Sequence, residues 1–282
     1  EGTLGVVTEV ELAVRPRPEV ESHHLLAFDD AGPLAWALLR LARCEPRPFT
    51  LCFADAGYLG LLVRAGFGIP PDAAGYPSIL LASFQGTAAD VRRGRDGLVG
   101  LPGRELPAEL ALEEWNWRLY HLRAKRGGPS LLAAEQWLPL AGLGSYLDAV
   151  ATMARRDGIP VGSYGVVIAP DWALVMSLYP TDERNIVEYV AAMGYTVRLY
   201  DLGARRGGHP YGVGLWNSPY LRRIFGERRL AELRSRKARL DPCGIMNPGK
   251  LYRSPFPLWP VAFDPAASVL AAMYVALRRR RR

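Results

Sequence analysis

Apolar and polar positions alternate in short stretches whose period switches repeatedly between strand and helix. Residues 4–14 alternate over their second half and read as a strand or strand pair, closed by Arg15-Pro-Arg-Pro18. A new pattern starts after that punctuation, which places a domain boundary near Pro18. Residues 23–28 then read as a strand, 33–42 as a buried helix, 49–53 as a second strand and 59–63 as a short helix. Residues 78–84 form a third strand and 88–98 a helix. The longest helix predicted is 106–125, rich in Glu, Leu and Arg and stopped by Gly127-Gly-Pro129.

The second half is cleaner. Residues 130–137 predict a strand, 144–156 a helix, 162–169 a strand, 172–179 a strand through a tight Pro170-Asp171 turn, 183–193 a helix and 196–200 a closing strand. That order is βαββαβ, the ferredoxin-like arrangement, with helices over one face of an antiparallel sheet. The first half looks like a looser copy, so the fold class expected is α+β. Beyond Gly203 come a glycine-rich loop at 207–214, a basic helix at 227–239 and an irregular segment at 241–250 whose prolines and glycines forbid regular structure.

The formal charge of +7 changes this picture little, because five of the charges lie in Arg278 to Arg282 and the body without them carries +2. A nucleic-acid partner, which wants a basic face with interleaved aromatics, is therefore not expected. Cys44, Cys52 and Cys243 form no C-x-x-C pair, which argues against a zinc site or disulfide framework and fits a reducing, cytoplasmic compartment. No apolar run is long enough to span a bilayer. The opening Glu1-Gly-Thr-Leu4 has neither Met nor a signal-peptide pattern and suggests a piece of a longer product.

Candidate chemistry is weak feature by feature. The loop at 207–214 lacks the Gly-Lys-Ser/Thr of a Walker loop and opens no helix as a dinucleotide fingerprint does. His23 and His24 point to opposite faces of their strand and cannot share a metal without strain.

The combination is sharper. Gly2-Thr-Leu-Gly-Val-Val-Thr-Glu9, followed by an apolar strand, resembles the segment that closes the FAD-binding domain in FAD-linked oxidases. Some 230 residues on, Leu240-Asp-Pro-Cys-Gly-Ile-Met-Asn-Pro-Gly-Lys250 resembles the terminal motif of the same family, which includes glycolate oxidases and D-lactate dehydrogenases of the vanillyl-alcohol oxidase superfamily. Trp115 with Arg118 resembles its Trp-x-x-Arg helix, and Glu135-Gln-Trp-Leu-Pro-Leu140 its Glu-Asp-x-x-(Val/Leu)-Pro strand. The resemblance covers the chain to about Leu251. It implies residues 1–18 as the end of an FAD-binding domain, 19–203 as a cap domain facing the substrate, 204–254 as a flavin-facing segment and 255–282 as a tail.

The resemblance further implies FAD as cofactor, with Gly2, Thr3, Leu4, Gly5, Val6 and Val7 passing close to the flavin and Asn247 and Lys250 beside its ring. The phosphate-binding part of the FAD domain lies upstream, so the chain is expected to hold FAD weakly without it. A small 2-hydroxy acid or alcohol is the implied substrate, with His209 as base, Tyr211 as alternate and Arg118 as carboxylate clamp. Two departures qualify this. His209-Pro-Tyr-Gly-Val-Gly214 replaces the family's Gly-Glu-His-Gly-Ile-Gly, and residues 162–171 hold none of the family's hairpin histidines, so no metal is expected. His209, Tyr164 or Tyr211 would then polarise the hydroxyl. A catalytically silent subunit, or a flavoprotein of the alkyl-glycerone-phosphate synthase type, stays open. The stretch 266–277 with its five arginines is either a packed terminal helix or a contact to a partner subunit or an anionic membrane at the inner face.

Overall fold

A computed structural model describes residues 2–68, 78–214, 217–251 and 259–280, with side chains in the last stretch from 265 onward. One antiparallel sheet of eight strands organises them, in the order β4-β1-β3-β2-β6-β7-β5-β8. The first four strands are β1 (Val20–Phe28), β2 (Thr50–Asp55), β3 (Ser78–Gly86) and β4 (Arg104–Glu105). The second four are β5 (Ser130–Pro139), β6 (Gly162–Ala169), β7 (Trp172–Thr181) and β8 (His209–Pro210). Taken four at a time, each half has the same internal order, 4-1-3-2, of a ferredoxin-like unit. Their second strands join the two units, with Cys52 opposite Val166, Phe53 opposite Gly165 and Ala54 opposite Tyr164. The α+β class and the looser first copy are thus borne out.

The alternation expected of a half-buried strand decides which side chains meet which layer. Leu26, Phe28, Leu51, Phe53, Leu138 and Tyr179 face a helical layer made of α1 (Ala31–Ala42), α3 (Ala88–Asp96), α5 (Leu140–Asp157) and α6 (Ile186–Ala204). The opposite face is not bare: Leu25, Ala27, Cys52, Leu81, Tyr164 and Met176 lie under α2 (Ala56–Arg64), α4 (Ala108–Trp117) and the 3₁₀ turn His121–Gly127. This second layer covers the first unit and the near edge of the second. Among the described residues, no helix covers the rest of this face in the second unit.

Four sequence expectations change. The strand at 4–14 is absent: residues 2–18 carry no regular structure, and Val6, Val7, Val10, Leu12 and Val14 are exposed. A strand needs a neighbour for its ladder, and no described strand lies beside it. The closing strand moves from 196–200 to β8, because α6 runs on through Tyr195, Thr196, Val197, Leu199 and Tyr200, all buried. A helix covered on several sides is apolar all round, and period alone then misassigns it. The long helix at 106–125 breaks after Trp117. There the Tyr164 hydroxyl donates to the carbonyl of Arg118 at 3.3 Å and Tyr58 to that of His121 at 2.7 Å, taking acceptors that a continuing helix would use. The basic helix begins earlier than expected, as α7 (Leu221–Leu240), and is interrupted at Gly226.

The tail is a packed helix, α8 (Trp259–Arg279). Its Ala267, Ala271 and Tyr274 are buried against α6, and the Tyr274 hydroxyl donates to Pro180 O at 2.8 Å. Arg278 pairs with the fully buried Glu188 at 3.2 Å, and Arg279 donates to Arg156 O at 3.0 Å. The apolar face expected to serve a membrane or partner is therefore spent on α6, and two of the five arginines hold the helix in place. The extended segment at 255–260 lies largely outside the described residues. No helix among those described is long and apolar enough to cross a membrane.

Candidate active site

The open sheet face is built by strand alternation. Ala134, Gln136 and Leu138 of β5 point into the helical layer, where Gln136 Nε2 donates to the Tyr146 hydroxyl at 2.5 Å. Glu135 and Trp137 therefore point the other way. The short β8 places His209 opposite Trp137 and Pro210 opposite Gln136. Just beyond it, the Tyr211 amide donates to Glu135 O at 2.8 Å. The Tyr211 ring lies 5.5 Å from Trp137, and the His209 ring 6.0 Å from Trp172. His209 Nδ1 lies 3.1 Å from Pro210 O. This corner is an aromatic wall around an imidazole and a phenol.

Tyr164 stands elsewhere on the face. His121 stacks on it at 5.4 Å and Tyr58 lies at the same distance on another side. Burial pushes the Tyr164 hydroxyl far above the ordinary tyrosine value, and burial and then Arg123 push His121 down. Arg118 is folded back on its own helix: its guanidinium lies 3.4 Å from the Trp115 ring centre, and Nη1 donates to Trp115 O at 2.6 Å.

Register separates these groups. Tyr211, Glu135, Met176 and Tyr164 form one row across successive strands. At a strand spacing of about 4.8 Å, Tyr211 and Tyr164 are roughly 14 Å apart along the sheet. His209 and Tyr211 are thus brought together, whereas Arg118 and Tyr164 belong to a second place. The expected grouping of His209 with an Arg118 clamp on one small substrate is not formed in this conformation.

The residues expected to face flavin are drawn together from the two ends of the chain. Lys237 Nζ donates to Thr3 O at 2.5 Å and to Met246 O at 2.7 Å, and it pairs with Asp241. Asp241 in turn accepts the amides of Ile245 at 3.0 Å and Met246 at 2.9 Å. The Lys237 ammonium, aided by those amides, holds the Asp241 carboxyl below the ordinary aspartate range. Gly2 has φ +62°, a left-handed conformation that favours glycine, and a Cβ there would lie 2.8 Å from Asn247 Nδ2, so the two residues approach closely. Thr3 is buried in this knot, whereas Gly5, Val6, Val7, Asn247 and Lys250 are exposed. A Cβ on Gly5 would meet nothing within 4 Å. The exposed set offers free backbone, an amide and an ammonium, which suits the polar edge of a flavin ring. It contains no glycine-rich cradle for a pyrophosphate.

Residues 17–251 match the family described as FAD linked oxidases, C-terminal domain. The chain belongs to this family. It is 25% identical over 268 residues to glycolate oxidase subunit GlcD of Bacillus subtilis (strain 168), covering 89% of this chain and 55% of that protein. The same subunit of Escherichia coli (strain K12) is 25% identical, with 52% of its length covered. The chain therefore spans about half the length of these curated relatives. Among solved structures, 4-ethylphenol oxidase from Gulosibacter chungangensis aligns with a TM-score of 0.64 at 17% identity, over 84% of this chain and 54% of that one. Alkyldihydroxyacetonephosphate synthase aligns with a TM-score of 0.60 at 18% identity, over 88% and 48%. These structural likenesses establish the fold.

Against this FAD-linked oxidase frame, two groups went unassigned in the sequence. Lys237 and Asp241 stand four apart at the helix end, the i,i+4 spacing of a helical ion pair, and only the folded loop reveals what they fasten. Glu135 was read as part of a motif and given no role. Among the described residues, no three His, Cys, Asp or Glu side chains group as metal ligands.

Proposed function

We propose that this chain is the substrate-facing C-terminal portion of an FAD-dependent oxidoreductase that oxidises a small 2-hydroxy acid or alcohol. The observation that carries the reading is the knot of Lys237 and Asp241, which sets Gly2 and Asn247 side by side although they lie at opposite ends of the chain. A shared ligand contacted by both motifs gives that meeting a purpose. The exposed valines of residues 6–14 would pair with the upstream FAD-binding domain, and Gly5 to Val7, Asn247 and Lys250 would border the ring. FAD, when bound, accepts the hydride. His209 would take the hydroxyl proton on Nε2, with Tyr211 as the alternate, while Trp137 and Trp172 exclude water. Clamping a carboxylate with Arg118 would require its guanidinium to leave Trp115.

The separation of the two places, roughly 14 Å along the sheet, favours a second reading, a family member that assists an active partner, or one of the alkyl-glycerone-phosphate synthase type, without net oxidation. The visible spectrum of the protein purified with its upstream portion tests both. A flavin band that bleaches anaerobically with a 2-hydroxy acid or alcohol supports the oxidase reading. Flavin that stays oxidised supports the second, and a colourless, folded protein that FAD cannot reconstitute leaves only the silent subunit. With a 2-hydroxy acid as the reductant, replacing His209 with Ala should slow bleaching by about a hundredfold or more, the usual size of a general-base effect. Unchanged turnover would remove His209 from that role.

A further inference from the structure

The Glu135 carboxylate lies on the open face of the sheet, beside His209 and Tyr211. It lies in the same row as Tyr211, one strand from His209, with the aromatic wall of Trp137, Trp172 and Tyr211 beside it. Its own backbone is fixed on both sides, by pairing with Met176 of β7 and by the Tyr211 amide. Among the described residues its carboxylate has neither a hydrogen bond nor an ion pair. Buried or half-buried carboxylates are normally paired, and this chain otherwise follows that rule: Glu114 pairs with Arg123 at 2.7 Å and Glu188 with Arg278.

We propose that the substrate is a neutral alcohol with an apolar or aromatic body and that for such a substrate Glu135, in place of His209, is the catalytic proton acceptor of the open face. This rests on the oxidoreductase reading above. In the reaction the substrate O–H bond breaks and its proton goes to a Glu135 carboxylate oxygen. The C–H bond on the same carbon breaks with its electron pair, which passes as hydride to the oxidised flavin of the FAD-binding portion. A C=O bond forms, so the substrate loses two electrons that the flavin gains. Glu135 then returns its proton to solvent. An anionic base beside the reacting carbon disfavours a substrate carboxylate at the same place, because like charges a few ångströms apart repel strongly in a partly dry site. Arg118, the carboxylate clamp that the resemblance implies, is engaged with Trp115.

The groups facing Glu135 are few. His209 and Tyr211 approach from β8, Tyr164 and His121 lie across Met176, and Tyr200 of α6 bonds its backbone and also feels its charge. Burial raises the Glu135 carboxyl above the ordinary glutamate value, which brings a weak base nearer the working pH.

The test uses the full-length protein with its FAD-binding portion and a matched pair of probes, mandelamide and mandelate. The amide is neutral and the acid anionic, on the same aromatic carbinol. Bleaching should be faster with mandelamide, and its rate should fall as pH drops through the Glu135 titration. Replacement by Glu135→Gln should slow it by about a hundredfold or more and erase the acidic limb, with flavin content unchanged. A Glu135→Asp variant should keep part of the rate with the limb displaced. The carboxyl carbon-13 resonance of Glu135 supplies a readout free of turnover and should titrate above the ordinary glutamate range. Wild-type rate and limb in the Gln variant overturn the assignment and leave the oxidase reading standing. Faster bleaching with mandelate overturns the substrate class. Flavin that neither probe, nor glycolate, reduces overturns both readings together. Should the Gln variant fail to hold flavin, an unshifted limb in the Asp variant or an ordinary carboxyl titration overturns the proposal.

Discussion

Lys237 Nζ meets the carbonyl oxygen of Thr3 at 2.5 Å although 234 positions of sequence separate them. The same ammonium holds Asp241 and Met246 O, so one side chain fastens the N-terminal segment to the terminal motif. Replacing Lys237 with Met should free residues 2–18 and raise the FAD dissociation constant of the full-length protein about tenfold, the effect of one lost hydrogen bond to a charged group. Protease cleavage within residues 2–18, followed by mass spectrometry, reads the first effect and flavin retention the second. Because the Asp241 carboxyl is held below its ordinary range, its contribution is present above that range and is lost as pH falls through the folded value. Cleavage should therefore stay slow from neutral pH down to mildly acid conditions. Equal cleavage of wild type and variant at neutral pH would show that Lys237 fastens nothing.

Much of this architecture is legible in the sequence because strand alternation is a local signal. Apart from the two-residue β4, every strand from residue 20 to 181 lies where alternation or an apolar run placed one, and His23 and His24 do turn to opposite sides, toward Trp115 and Phe84. Residues 196–200 were misread because α8 covers α6 from outside, and nothing local to Thr196 or Val197 announces that cover. The segment at 4–14 carries the right pattern for a strand, yet a strand is a property of two partners. The site was half legible. His209 and Tyr211 fall on one corner as their spacing of two on an edge strand requires, whereas the close approach of Gly2 to Asn247 is visible only in the fold. The separation of Arg118 from His209 depends on register across several strands, which no stretch of sequence states. Glu135 stayed hidden because its face is known only once Gln136 is seen bonding Tyr146 on the other side.

Gly194 lets α6 and α8 approach closely: a Cβ there would lie 2.5 Å from Ala267 O and 2.6 Å from Leu270 Cβ. Alanine is intrinsically the better helix former by up to about 1 kcal/mol. In this place the added methyl forces α8 outward, and overpacking of this kind costs about 1–3 kcal/mol. Gly194→Ala should therefore lower the melting temperature and speed tryptic release of the C-terminal arginines. A neutral or stabilising effect would mean that α8 does not pack here.

Asp55 links the two halves of the sheet, since its Oδ1 accepts the Tyr58 amide that caps α2 and the Ser163 amide of β6, each at 2.8 Å. Burial pushes its carboxyl up from the ordinary 3.8 to about 6. A folded value above the unfolded one means that the folded state binds the proton more tightly. The stabilisation is then complete below the unfolded value and is lost as pH rises through about 6. This single group should make the protein more stable at mildly acid than at neutral pH, by less than about 3 kcal/mol. Asparagine keeps the accepting oxygen and cannot ionise, so Asp55→Asn should flatten that dependence while preserving the cap. Glu114 and Glu135 are also raised by burial, and the difference between wild type and variant isolates Asp55 from both. Urea midpoints for the two proteins on either side of pH 6 provide the measurement. If the two curves run parallel, the Asp55 carboxyl titrates as an ordinary exposed group and the junction between the units rests on other contacts.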